Sequence, residues 1–198
     1  RTQNTSWYNE TLGTATRGSR REFPSVAVIV AEIKKLTIYD GDDPDLPMWM
    51  VFLSPSTTPY SLIPNVAGHI TSITALNGKI TLGYHTNYGI GVWDFISEFC
   101  INSWRENSRM QYPGTIAERN DQKGNLQLGS PYIIDYRGHD VAMTVLPNAP
   151  VDSATGLPVP TIAVAADHGA SIIRDDGTVA DITITTGTNY DVEHIDFT

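Results

Sequence analysis

Asp40, Asp42, Asp43 and Asp45 crowd one short loop, inside the segment LTIYDGDDPDLPMWMVF at residues 36–52. Carboxylates at that density are hard oxygen ligands and would suit a lone calcium ion. An EF-hand loop needs oxygens at alternate positions, a central glycine and a closing glutamate. This segment lacks that pattern. The same residues also make a solvated strand connection: Asp and Gly favour turns, Pro44 and Pro47 fix φ, and the charges discourage edge pairing. The second group with chemical potential is Tyr84, His85, Asn87 and Tyr88. Aromatic faces beside hydrogen-bonding groups suit sugars, by stacking and polar contact. The third is Asp152, in a long Pro-, Gly- and Ser-bearing loop over residues 147–160. These three loops are the expected surface-contact regions.

Catalytic signatures are missing. No nucleophile elbow, phosphate-binding loop, paired zinc-ligand motif or dinucleotide fingerprint occurs. His69, His85, His139, His168 and His194 show no His-x3-His or similar metal spacing. His69 and His139 each follow a glycine in matching segments, which points to a structural hydrogen bond. The stretch 173–179 holds Asp175 and Gly177 of a sialidase-type Asp-box, without its Ser and Thr-Trp. Arg17–Arg21 reads "RGSRR", a solvated loop before a strand entry. The expectation is a protein that is not an enzyme, with no catalytic, cofactor-binding or metal residues and no cofactor.

Composition narrows the partners. The 198 residues carry a net charge of −9. An acidic surface repels phosphate backbones and anionic lipid, so nucleic acid and membrane insertion are not expected. No apolar run reaches the ~18 residues of a membrane span. Apolar residues are 40% and charged residues 18%, the profile of an ordered chain. The lone cysteine, Cys100, excludes an internal disulfide and is expected to be a small buried hydrophobe.

The elements that must position these loops are strands. Short β-branched and aromatic runs lie at 26–31, 36–39, 48–52, 70–76, 79–84, 90–96, 132–136, 141–146, 161–166, 170–174 and 178–185. Asn77-Gly78 between two apolar runs is a strong hairpin signal. Asp167-His168-Gly169 and Asp175-Asp176-Gly177 supply glycines for positive φ. Residues 99–111 fit either an irregular outer strand or a short helix, and 121–125 a turn.

Repeats refine the picture. GHITSITALNG at 68–78 matches GHDVAMTVLPN at 138–148. The strand–turn–strand segments opening at Ala27, Ser72 and Ala163 are spaced by about 45 and about 91 residues, near one and two units of roughly 40–50 residues, the size of a four-stranded propeller blade. Gly68-His69 and Trp93-Asp94 echo the WD40 signature in one unit alone. The expected fold is all-β, a propeller-like array of about four short antiparallel blades in a single domain over 1–198, with a β-sandwich as the alternative. Beginning at Arg1, the chain is expected to be a fragment or module of something longer.

The segments RGSRREFPSVAVIVAE, LTIYDGDDPDLPMWMVF, GHDVAMTVLPNAPVDSATGLPVPTIAVAADHG and SIIRDDGTVADIT resemble parts of large structural proteins of tailed bacteriophages, especially environmental phages. The resemblance spans residues 17–183. Such proteins are assigned to tail fibres and other virion appendages, and often join propeller-like repeats to a lectin-like jelly roll, which cannot be read in these 198 residues. The resemblance implies a non-enzymatic virion tail component. It would be oligomeric within the particle, contacting other virion proteins or a host-surface glycan. A carbohydrate-binding module and a polysaccharide depolymerase are the alternatives.

Overall fold

The computed structural model describes residues 2–54, 62–64, 70–85, 88–104, 109–123, 126–153, 155–185 and 191–198. Among them, one 3-10 turn, Thr2–Asn4, is the single helical element. The rest of the regular structure is antiparallel strand. No helix among the described residues is long and apolar enough to cross a membrane.

Three sheets follow one another along the chain, each a meander in sequence order. The first contains β1 (Ala27–Glu32), β2 (Lys35–Asp40) and β3 (Met48–Leu53). Residues 14–18 lie along its β3 edge, where Arg17 bridges Met50 and the amides of Gly18 and Val51 bond across to Trp49 and Thr16. The second contains β4 (Ile70–Leu76), β5 (Lys79–Tyr84), β6 (Ile90–Asp94), β7 (Cys100–Ser103), β8 (Arg109–Tyr112) and β9 (Leu126–Leu128). The third contains β10 (Gly138–Thr144), β11 (Thr161–Ala166), β12 (Gly169–Ile173) and β13 (Val179–Thr183). The undecided stretch 99–111 therefore contributes β7 and the start of β8.

Strand alternation makes the second sheet the middle layer. Successive side chains of a strand face opposite sides. On β5, Ile80, Leu82 and Tyr84 enter a large core with Leu36, Ile38, Trp49, Met50 and Phe52 of the first sheet. The intervening Thr81 and Gly83 face the third sheet, at Met143 and Gly138. On β6, Trp93 joins the first core, while Ile90 and Val92 join a second one with Val141, Ile162 and Val164. Trp7, from the N-terminal segment, is fully buried in the first core and donates its indole N–H to the Phe95 carbonyl (2.6 Å). The first strands of the sheets converge, with β4 close to both β1 and β10. Thr71 bonds the Gly138 carbonyl (2.5 Å) and Ser72 bonds Asp140 (2.5 Å).

The turns behave as their residues dictate. Asn77 and Gly78 take φ of 51° and 77° in the β4–β5 hairpin, the geometry of a two-residue turn with both residues left-handed. His168 (67°) and Gly177 (81°) are left-handed positions in the β11–β12 and β12–β13 turns. Two expectations are corrected. Residues 132–136 form no strand: polar backbone groups there are met by distant segments outside any ladder, Ile134 N–H by the Ser171 hydroxyl (2.9 Å) and the Tyr136 carbonyl by the Gly89 N–H (2.8 Å). The hairpins opening at Ser72 and Ala163 are not equivalent either, since β4–β5 starts its sheet and β11–β12 lies inside one. A glycine turn between apolar strands looks alike at either place. Of the matched segments 68–78 and 138–148, residues 68 and 69 lie outside the described residues; the strands within them, β4 and β10, both open their sheets and lie side by side.

Candidate functional site

The acidic loop is a latch. Asp40 ends β2 and is 5% exposed. Arg20 donates to both of its oxygens (2.7 and 2.9 Å) and to Asp42 (2.8 Å). Asp42 also accepts the backbone N–H groups of Ser25 (2.8 Å) and Val26 (2.9 Å), tying the entry of β1 to the exit of β2. The Ser25 amide, with Arg20 and Val26 behind it, holds the Asp42 carboxyl below its ordinary range against the cost of burial. Asp43 accepts the Asp45 N–H (2.9 Å) in a local turn. Asp42, Asp43 and Asp45 are exposed. The expectation of four surface carboxylates is thus corrected at Asp40, and the basic stretch supplies the counter-ion.

That basic stretch is not a solvated loop. Arg17 is fully buried, donating to the carbonyls of Trp49 (2.9 Å), Arg20 (2.8 Å) and Arg21 (3.0 Å), with its guanidinium 4.7 Å from the Trp49 ring. Burial pulls its pKa down to about 10, with Glu10 opposing. Arg119, also buried, donates to Val51 (2.8 Å), Thr16 (2.7 Å) and Glu10 (2.9 Å). Two guanidiniums and one carboxylate therefore fasten residues 10–17 to β3.

The aromatic group at 84–88 is divided by strand alternation. Tyr84 is wholly buried and cannot be a stacking platform, a third correction. Its hydroxyl has no hydrogen-bond partner and sits against Gly91, where an added Cβ would lie 2.7 Å away. Burial pushes that phenol well above its ordinary pKa. His85 is exposed. Asn87 lies outside the described residues. Tyr88 is half-buried and meets Trp104 edge to face at 5.4 Å. His85 is the exposed side chain among the described members of the group.

Asp152 caps a turn. Its carboxylate accepts the Thr155 N–H (2.9 Å), and its own N–H bonds the Leu157 carbonyl (2.9 Å). Asn77 reaches across to the Pro158 carbonyl (2.8 Å), so this loop packs on the β4–β5 turn. Beside it, Lys79 pairs with Asp94. Burial works to raise the Asp94 pKa, but Lys79 and the Ser97 and Ile96 amides outweigh it and leave it lowered. On the other flank of the turn is a cavity of ≈ 380 Å³, lined by Phe23, Pro24, Ser25, Asn77 and Lys79 among others.

Three histidines meet carboxylates around the third sheet. His139 Nε2 lies 2.6 Å from Asp167, His168 Nδ1 2.7 Å from Asp135, and His194 Nδ1 2.6 Å from Asp140. His139 makes the structural contact its repeat position suggested, whereas His69 lies outside the described residues. Among the described residues, His139, Asp167 and Asp191 are the one group whose donor atoms could share a metal ion. The sequence pattern missed it because the donors are 28 and 24 positions apart. Cys100 is buried, and burial raises its thiol pKa, as expected of a small core residue. No protein-family model matches the chain, and no curated protein matches it.

Proposed function

We propose that this chain is a non-enzymatic structural module of a bacteriophage virion, a tail fibre or tail-associated component that serves assembly and host-surface contact. The three meanders act as propeller-like blades, stacked face to face with their first strands gathered at the centre. One observation carries the reading: three meanders in chain order share two separate cores, with β4 beside both β1 and β10. Rigid stacked ladders with freely varying loops suit an appendage that must persist outside a cell. The particle positions the module among other tail proteins. Antibody raised against the chain should label tails in electron micrographs of purified particles. Its presence in infected-cell lysate together with absence from those particles overturns the assignment.

A second reading, a glycan-binding module, draws on the ≈ 380 Å³ cavity beside Ser25, Asn77 and Lys79. A glycan array tests it, with Asn77→Ala expected to reduce any signal by about tenfold, the worth of one or two lost hydrogen bonds. The depolymerase alternative draws no support there, since no carboxylate is among the described lining residues.

A further inference from the structure

We propose that His139, Asp167 and Asp191 bind a divalent transition-metal ion, Zn²⁺ by preference, which fastens the C-terminal segment to the third sheet. The donors come from three separate places: His139 from β10, Asp167 from the β11–β12 turn, and Asp191 from residues 191–198. One donor atom from each lies within 4.8 Å of the others. His139 and Asp167 are only 12% and 16% exposed at the side chain, so two of the three ligands are held in packed surroundings.

The backbone brings the third ligand in. Val192 donates to the Ala166 carbonyl (3.2 Å), which sets Asp191 beside the residue preceding Asp167. Ile195 N–H reaches Asp140 (3.1 Å) further along. The second ring nitrogen of His139 faces Glu193 at 3.9 Å. A carboxylate on the far nitrogen of an imidazole is the usual way a metal-binding ring is oriented. Charge acts in the same direction. Asp167, Asp191 and Glu193 bring three carboxylates, against one guanidinium: half-exposed Arg137, 3.7 Å from Asp167. With a neutral ring the group is in excess by two negative charges, which a divalent cation balances.

The donor set selects the metal class. One imidazole nitrogen with carboxylate oxygens suits Zn²⁺ and its neighbours, whereas Ca²⁺ and Mg²⁺ take oxygen sets. Tetrahedral bonds of ~2.0–2.2 Å separate ligand atoms by about 3.4 Å. The 2.6 Å contact between His139 and Asp167 therefore has to open by under an ångström, within the reach of side-chain rotation. Binding needs the tautomer of the neutral ring that carries its proton on Nδ1, the Glu193 side, which frees Nε2 to ligate without net proton release. Water completes the coordination.

The test uses the tag-free 198-residue chain, stripped with chelator and titrated with ZnCl₂ at pH 7 by calorimetry, with metal content read by mass spectrometry. One Zn²⁺ per chain is expected. His139→Asn and Asp191→Asn should each weaken binding by about tenfold or more, and His85→Asn, at an exposed site elsewhere, should not. Asp191 is exposed, so its variant keeps the fold even if His139→Asn does not. Zn²⁺ should also slow proteolysis of residues 191–198 in the native chain and not in Asp191→Asn. No uptake at 100 µM Zn²⁺, uptake unchanged by Asp191→Asn, or equal binding of Ca²⁺ overturns the assignment.

Discussion

The middle sheet is packed against its two neighbours in opposite ways. Towards the first sheet the contact is aromatic and wide. Phe52 stacks on Trp93 (4.7 Å, 25°), and Trp7, Phe23, Trp49 and Phe95 meet edge-on or tilted at 4.9–6.4 Å. Towards the third sheet the contact is aliphatic and close. Ile90, Val141, Ile162 and Val164 fill it, and at its rim Gly138 meets Gly83 and Gly89 so tightly that an added Cβ would lie 2.6 Å from the Gly89 carbonyl. Large rings hold two sheets together by buried area and tolerate irregular spacing. Glycines let backbones approach, so small side chains suffice. One meander plan thus accepts either solution on its two faces.

Five changes break or sharpen that comparison. Trp93→Ala should cost the most, about 3–5 kcal/mol, because it removes a fully buried ring and the stack with Phe52. Urea unfolding measures it, and a cost under about 1 kcal/mol would mean the aromatic layer can collapse onto the gap. Gly138→Ala should cost about 1–3 kcal/mol by overpacking, since the obstacle is the Gly89 backbone rather than a flexible side-chain end. The same substitution at Gly83 first meets the Thr71 hydroxyl, which can turn aside at the loss of its bond to Gly138, and should cost less. If Gly83→Ala proves the worse of the two, the close approach does not depend on Gly138.

Acidification should act on the aliphatic side through Asp140. Burial works to raise its pKa, but Ser72, the Ile195 and Val141 amides and His194 together leave it lowered. A carboxyl whose folded pKa is below its unfolded value stabilises above the unfolded value, near pH 4, and that stability is lost as pH falls through the folded value. The urea midpoint should therefore fall below pH 4, and Asp140→Asn should flatten the fall while costing about 1 kcal/mol at pH 7. A slope unchanged by that variant rules Asp140 out. Tyr84→Phe should have the smallest effect, within about 1 kcal/mol and towards greater stability, because the deleted hydroxyl is buried without a partner. Marked destabilisation would show that the phenol is satisfied.

Most strands were legible because β-branched runs and glycine turns are local signals. Ile70–Leu76, Lys79–Tyr84 and Thr161–Ala166 coincide with the expected spans. β7, β8 and β9 were not legible: Cys100–Ser103 and Arg109–Tyr112 are four residues each, polar in part, and become strands by pairing outward from β6. The surface loops were legible as loops and misleading as sites. Nothing near Asp40 in sequence announces Arg20, and nothing beside Tyr84 tells which face of β5 the core will cover.

Residue types and turn chemistry alone determined that this chain forms antiparallel hairpins, because alternation and positive φ are settled within a few residues. The order of the layers, the burial of Arg17 and Tyr84, and the meeting of His139 with Asp167 were decided by tertiary structure. Each depends on segments tens of residues apart whose approach is set by the packing of whole sheets, which no local pattern records.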